Sequence, residues 1–192
     1  MSDHEGDHEV TMPDGSHVTW ESWSLGDPKK DRTPILREDQ VVGEYVRHDG
    51  KDSIEANGTW ALQADENSLS GTLPDGRVYS ATSADGKKIA RSKAINVDFG
   101  DSSARIVCEG STNYVIENDA DKIGQFTGAS RGVRHAEIQY DTEVGRALPD
   151  EQKIFLAWTA RRVLEARMVS STWILTICLI LLIAYLAWAW VA

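Results

Sequence analysis

Ala94-Ile-Asn-Val-Asp-Phe-Gly-Asp-Ser-Ser-Ala-Arg-Ile-Val-Cys108 is the stretch on which the fold class turns. Apolar side chains stand at Ile95, Val97 and Phe99, then at Ile106 and Cys108, with Gly100-Asp101 between the two sets. A period of two places alternate side chains on opposite faces, the mark of a half-buried strand. The glycine break lets the chain reverse. The stretch therefore reads as an antiparallel hairpin.

The same pattern extends in both directions. Further short runs fall at 41–47, 59–63, 68–73, 77–82, 88–92, 113–117, 122–127 and 134–140. Asp49-Gly50, Asn57-Gly58, Asp75-Gly76, Asp85-Gly86 and Glu109-Gly110 separate several of them. Asx-Gly pairs favour the positive φ angles of tight hairpins. Strands recurring about every ten residues predict an antiparallel barrel or sandwich. In 134–140, Ala136, Ile138 and Tyr140 take one face while His135, Glu137 and Gln139 take the other. No long amphipathic helix interrupts the region, which argues against an α/β fold.

At Leu148-Pro-Asp-Glu151 the pattern changes. Pro149 suits a first helical position, and Asp150 and Glu151 suit the positive end of a helix dipole. The following Ile154-Phe-Leu-Ala-Trp-Thr-Ala160 is apolar nearly all round, so this helix needs burial on most sides. Beyond it, residues 168–192 carry no charge. As a helix, 25 residues span ~38 Å, against a hydrocarbon core of ~30 Å. Trp173 stands near one end of the run, and Tyr185, Trp188 and Trp190 near the other, as interfacial aromatics do. Ile177 and Leu181 lie in its middle. The expectation is one transmembrane helix anchoring the chain by its tail.

Charge divides along the same boundaries. The chain of 192 residues has 20 basic and 30 acidic side chains, a net of −10. Residues 1–150 hold 16 basic and 28 acidic groups; residues 151–167 hold four and two. An acidic body is repelled by a phosphate backbone, so nucleic-acid binding is not expected. Arg161, Arg162 and Arg167 precede the apolar run. They predict a cytoplasmic N-terminal domain on the cytoplasmic membrane, with these arginines near lipid headgroups. The acidic first residues lack the apolar core of a signal peptide. Two cysteines, Cys108 and Cys178, make no disulfide framework.

Four regions follow from this reading: a partly flexible acidic arm over 1–40, the β domain over 41–147, a buried or juxtamembrane helix with a basic collar over 148–167, and the anchor over 168–192. The arm contains one strand-like stretch with a slip in its alternation, and its Trp20 and Trp23 suggest docking, on the protein's own domain or on a partner, with the partner expected.

Motifs for chemistry are sparse. His4 and His8 share an i, i+4 spacing among acidic residues, but Gly6 and the lack of an apolar stripe favour a solvated terminus over a metal site. Gly124-Gln-Phe-Thr-Gly128-Ala-Ser-Arg-Gly132 lacks the Gly-Lys-Ser/Thr ending of a phosphate loop. No nucleophile elbow and no Cys-x-x-Cys pair occur. The expectation is a non-enzymatic protein with no cofactor, no metal and no evident small-molecule substrate.

Tyr114-Val-Ile-Glu-Asn-Asp-Ala-Asp-Lys-Ile-Gly-Gln-Phe126, Ala136-Glu-Ile-Gln-Tyr-Asp141, Leu148-Pro-Asp-Glu151 and the helix over 154–164 together resemble the tubby-like superfamily, which includes phospholipid scramblases and plant LURP-one-related proteins. The resemblance covers roughly residues 41–167 and implies a closed barrel of about twelve strands around a hydrophobic helix. The family's phosphoinositide site uses clustered Lys and Arg, whereas this domain is net acidic. Two functions follow as expectations. The first is an accessory or scaffold subunit held on a larger integral membrane complex, such as a respiratory assembly. The second is a scramblase-like or lipid-binding module at the membrane surface.

Overall fold

The computed structural model describes residues 8–11, 17–110, 112–118, 121–128 and 136–191; the side chains of 8–18, 169–178, 184–185 and 187–191 lie outside that description. The strands are β1 (His8–Thr11), β2 (His17–Leu25), β3 (Arg32–Arg37), β4 (Gln40–His48), β5 (Lys51–Glu55), β6 (Thr59–Ala64), β7 (Ser68–Thr72), β8 (Val78–Ser83), β9 (Ala94–Asp98), β10 (Ser103–Cys108), β11 (Asn113–Asn118), β12 (Asp121–Thr127) and β13 (Glu137–Tyr140). Two helices follow, α1 (Glu143–Arg146) and α2 (Asp150–Val191).

Every named strand pairing is antiparallel, and strands from β3 to β13 pair in sequence order. The sheet closes through β2. Its Glu21–Ser24 backbone pairs with β13, and Trp23, Ser24 and Leu25 pair with Arg37, Leu36 and Ile35 of β3. Twelve strands, β2 to β13, thus form a barrel without edges, which removes the unpaired backbone groups that invite aggregation. β1 pairs with the first half of β2.

Local chemistry explains the strands. Asp49 and Gly50 both have positive φ, 49° and 75°, as do Asn57 and Gly58, at 48° and 118°. These are the mirror-image turns that match strand twist. Alternation sends Ile95, Val97, Phe99, Ala104 and Ile106 inward, all buried. A register shift between Ile116 and Glu117 lets Ile123 and Phe126, three residues apart, both face the core.

Two boundaries differ from the sequence reading. The barrel begins within the acidic arm: its strand-like stretch, β2, is a wall strand, and so is β3, in place of the flexible chain expected there. The run at 88–92 is a 3-10 turn, Ile89–Arg91, not a strand. Its Ile89 is buried in the hydrophobic core, and the Ile89 amide donates to the Glu66 carbonyl at 2.8 Å.

The first turns of α2 fill the barrel. Phe155, Leu156, Ala157, Trp158, Thr159, Ala160 and Val163 are fully buried. Phe155 meets Tyr79, Phe99 and Trp158 with ring centroids 5.7, 6.3 and 5.6 Å apart. A helix apolar on all sides needs such an enclosure, and the barrel supplies it. Small wall residues make room: a Cβ on Gly71 would lie 3.3 Å from the Phe155 ring. α1 is seated more tightly still. Thr142 caps it by accepting from the Gly145 amide at 3.0 Å, and a Cβ on Gly145 would fall 1.9 Å from the Ile123 carbonyl oxygen.

Candidate functional site

The plug helix has two ends, and each meets a different set of wall residues. At its start, Glu151 pairs with Arg77 at 2.6 Å, Asp150 faces Arg37 at 3.8 Å, and Gln152 donates to the Ser102 hydroxyl at 3.0 Å. Inside this end lies a buried ion cluster. Lys153 is 1% exposed and donates to Glu21 Oε2 at 2.8 Å and to the Arg146 carbonyl at 2.7 Å. The other Glu21 oxygen accepts from Trp23 Nε1 and from Arg37 Nε, both at 2.7 Å. The Lys153 ammonium also sits over the Trp23 and Tyr140 rings, 5.6 and 5.3 Å from their centroids. A charge this deep requires pairing and further hydrogen bonds, and here it has both. Tyr140 is fully buried; burial first, then the Glu21 charge, hold its phenol well above the usual value.

This cluster corrects the reading of Trp23. Its side chain is fully buried and bonded to Glu21, so it docks on the chain's own barrel and offers nothing to a partner. The slip in the alternation of β2 is explained by Glu21, a charged residue facing inward toward Lys153. Trp20 is half-buried.

At the opposite end the helix leaves the barrel through a collar of guanidinium groups. Arg161 and Arg162 both pair with Glu165, at 2.8 and 3.1 Å. Arg167 donates to the Ser92 carbonyl at 3.0 Å and lies 5.1 Å from the Tyr114 ring centroid. Nearby, Tyr45 donates to Asp52 at 2.7 Å and accepts from Arg47 at 2.7 Å. The three arginines expected to orient the chain are therefore brought together at one mouth of the barrel, half-buried, with a single carboxylate shared by two of them.

The collar tyrosines give a pH prediction. Burial, then the Asp52 hydrogen bond, pushes Tyr45 up to about 12, and burial pushes Tyr114 up to about 12. The ordinary value is 10.0. The unfolded chain thus loses these protons first. The stability the two phenols contribute is complete below pH 10 and is lost as pH rises through 12. Urea midpoints of the whole chain should fall over that alkaline window, and Tyr45→Phe should lessen the fall.

Past the collar, α2 continues as helix to Val191. Its described side chains are exposed and apolar: Leu179, Ile180, Leu181, Leu182, Ile183 and Leu186 are each more than 50% accessible, Leu181 reaching 64%. Among the described residues no helix is long and apolar enough to cross a membrane. The side chains of Trp173, Ile177, Tyr185, Trp188 and Trp190 lie outside the described residues.

An open depression of about 610 Å³ on the outer wall of β8 to β11 is lined by Ser80, Asn96, Asp98, Arg105, Glu117 and neighbours. It brings no His, Cys or Lys to its carboxylates and hydroxyls. Among the described residues no three His, Cys, Asp or Glu side chains are grouped to hold a metal. His4 and the side chain of His8 lie outside the described residues. Cys108 is a free, half-buried thiol donating to the Gly110 carbonyl at 2.6 Å. Comparison with protein-family models, with curated proteins and with solved structures finds no match.

Proposed function

We propose that the chain is a non-enzymatic accessory subunit, its barrel held on the cytoplasmic face of a membrane by the second half of α2 and docked on an integral membrane complex. The observation that carries this reading is the continuity of α2. One helix of 42 residues, about 63 Å long, begins as the barrel's core and continues past the collar with exposed leucines and isoleucines. Exposed apolar side chains in such number are costly in water and favourable in hydrocarbon. The arginines at the collar support a cytoplasmic barrel. The barrel itself is taken to be tubby-like in kind, on residues 114–126, 136–141 and 148–164. A lipid-binding module is the second reading, favoured by the basic character of the rim from which the helix emerges.

Purification in mild detergent tests the proposal. The subunit reading expects co-migration with a stoichiometric membrane partner in native gels. Migration alone, together with exchange of labelled lipid between liposomes containing the protein, contradicts it and favours the second reading.

A further inference from the structure

The charge of the barrel is polarised along the helix axis. Antiparallel alternation assigns each connection to one end, and the α2 contacts identify the ends. At the helix-exit rim, the described residues 26–32, 47–52, 64–67, 83–93, 108–110, 112–113 and 161–167 carry twelve basic and nine acidic side chains. At the opposite rim, the described residues 37–40, 55–59, 73–77, 98–102, 117–118, 121–122 and 141–153 carry five basic and twelve acidic. The acidity of the chain thus lies mostly away from the rim where α2 emerges, and repulsion by anionic lipid no longer follows from the net charge.

The densest basic connection is at the exit. Residues 83–93 hold Lys87, Lys88, Arg91 and Lys93 against Asp85 alone, and all four cations are exposed. Lys87 and Lys88 pair with Asp85 and Glu66 at 2.9 and 2.6 Å. Across the mouth, the β2–β3 connection presents Lys29 and Lys30, also exposed.

Spacing along α2 sets the height of this rim. Arg167 is bonded to the Ser92 carbonyl, so the helix crosses the level of the 83–93 connection at that residue. The uncharged run starts one residue later, and the helical backbone has no break there. Trp173 is six residues on, about 9 Å. The headgroup layer on each side of a bilayer is about 5–8 Å thick. There is no linker on which the barrel could stand off from the surface.

We propose that the barrel stands end-on against an anionic bilayer surface, with Lys87, Lys88, Arg91 and Lys93 on one side of the mouth and Lys29 and Lys30 on the other contacting lipid headgroups. The proposal rests on the anchor reading of α2 and adds the face, the orientation and the lipid charge. Juxtamembrane cations gain from anionic lipid within a Debye length, so closeness without a linker is the condition that matters.

Amide hydrogen exchange on the full chain tests it, in vesicles of phosphatidylcholine alone and in vesicles also containing phosphatidylglycerol. Exchange over 84–93 and 26–31 should slow by at least about tenfold in the anionic vesicles only, with 73–77 at the far rim unchanged. High salt should reverse the slowing, and so should the combined K87S, K88S, R91S and K93S changes. Equal exchange in both vesicles overturns the proposal. So does equal slowing at both rims. Slowing produced by inorganic phosphate over neutral vesicles contradicts a lipid surface as the ligand. Flotation of the same vesicles separates the two failures: protein left behind contradicts the anchor itself, while protein that floats without rim protection contradicts the docking alone.

Discussion

Lys153→Met should destabilise the barrel by about 3–5 kcal/mol, the cost of leaving one member of a buried ion pair behind. The substitution removes a charge that is 1% exposed and bonded to Glu21 at 2.8 Å. Glu21 keeps Trp23 Nε1 and Arg37, but Arg37 is half exposed and screened by water. A domain of this size has roughly 5–15 kcal/mol in total, so the loss should be visible as a large drop in urea midpoint. Lys153→Met combined with Glu21→Leu should recover most of it, because exchanging both partners for apolar groups leaves no charge stranded. The cycle of single and double variants measures the coupling directly. Trp23, stacked beneath Lys153, supplies a fluorescence signal at the cluster. A single variant as stable as the parent contradicts the role given to this pair in seating the plug helix.

The second large effect concerns the plug itself. Trp158 is fully buried among residues of the barrel interior, with its ring 5.6 Å from that of Phe155. Trp158→Ala should cost about 3–5 kcal/mol, since a rigid closed wall cannot collapse onto the cavity. Trp158→Phe should cost much less than the volume change alone would give. Among the described residues the Trp158 Nε1 donor has no partner, so removing it removes an unmet hydrogen bond as well as carbon. Urea melts of the two variants should therefore differ widely. Similar losses for both would show that the indole nitrogen is hydrogen-bonded in the folded chain.

Much of the wall was legible because its signals are local. Alternation such as Ile95, Val97, Phe99 and turns such as Asn57-Gly58 act within a few residues, and β9 and the β5–β6 turn follow them. The plug helix was legible for the same reason, as apolar residues on every face predict enclosure. Closure of the barrel was not. β2 reads as a strand with a slip, because Glu21 and Ser22 take buried positions, and β3 carries Thr33 and Pro34, a pattern that reads as loop. What makes Glu21 an interior residue is Lys153, 132 positions away, and no local pattern reports a partner at that distance. The polarity of the rims is likewise invisible to a net charge. It depends on which connections share an end, and that follows from strand order and from where α2 leaves.

In the proposed reading one helix serves as both barrel core and anchor. Flotation of membranes through a density gradient after an alkaline wash tests this most directly. The full chain should rise with the lipid, and the paired changes Leu181→Arg and Leu182→Arg should release it while leaving its melting unchanged. Full-length protein that stays at the bottom of the gradient, folded and without lipid, would contradict the account.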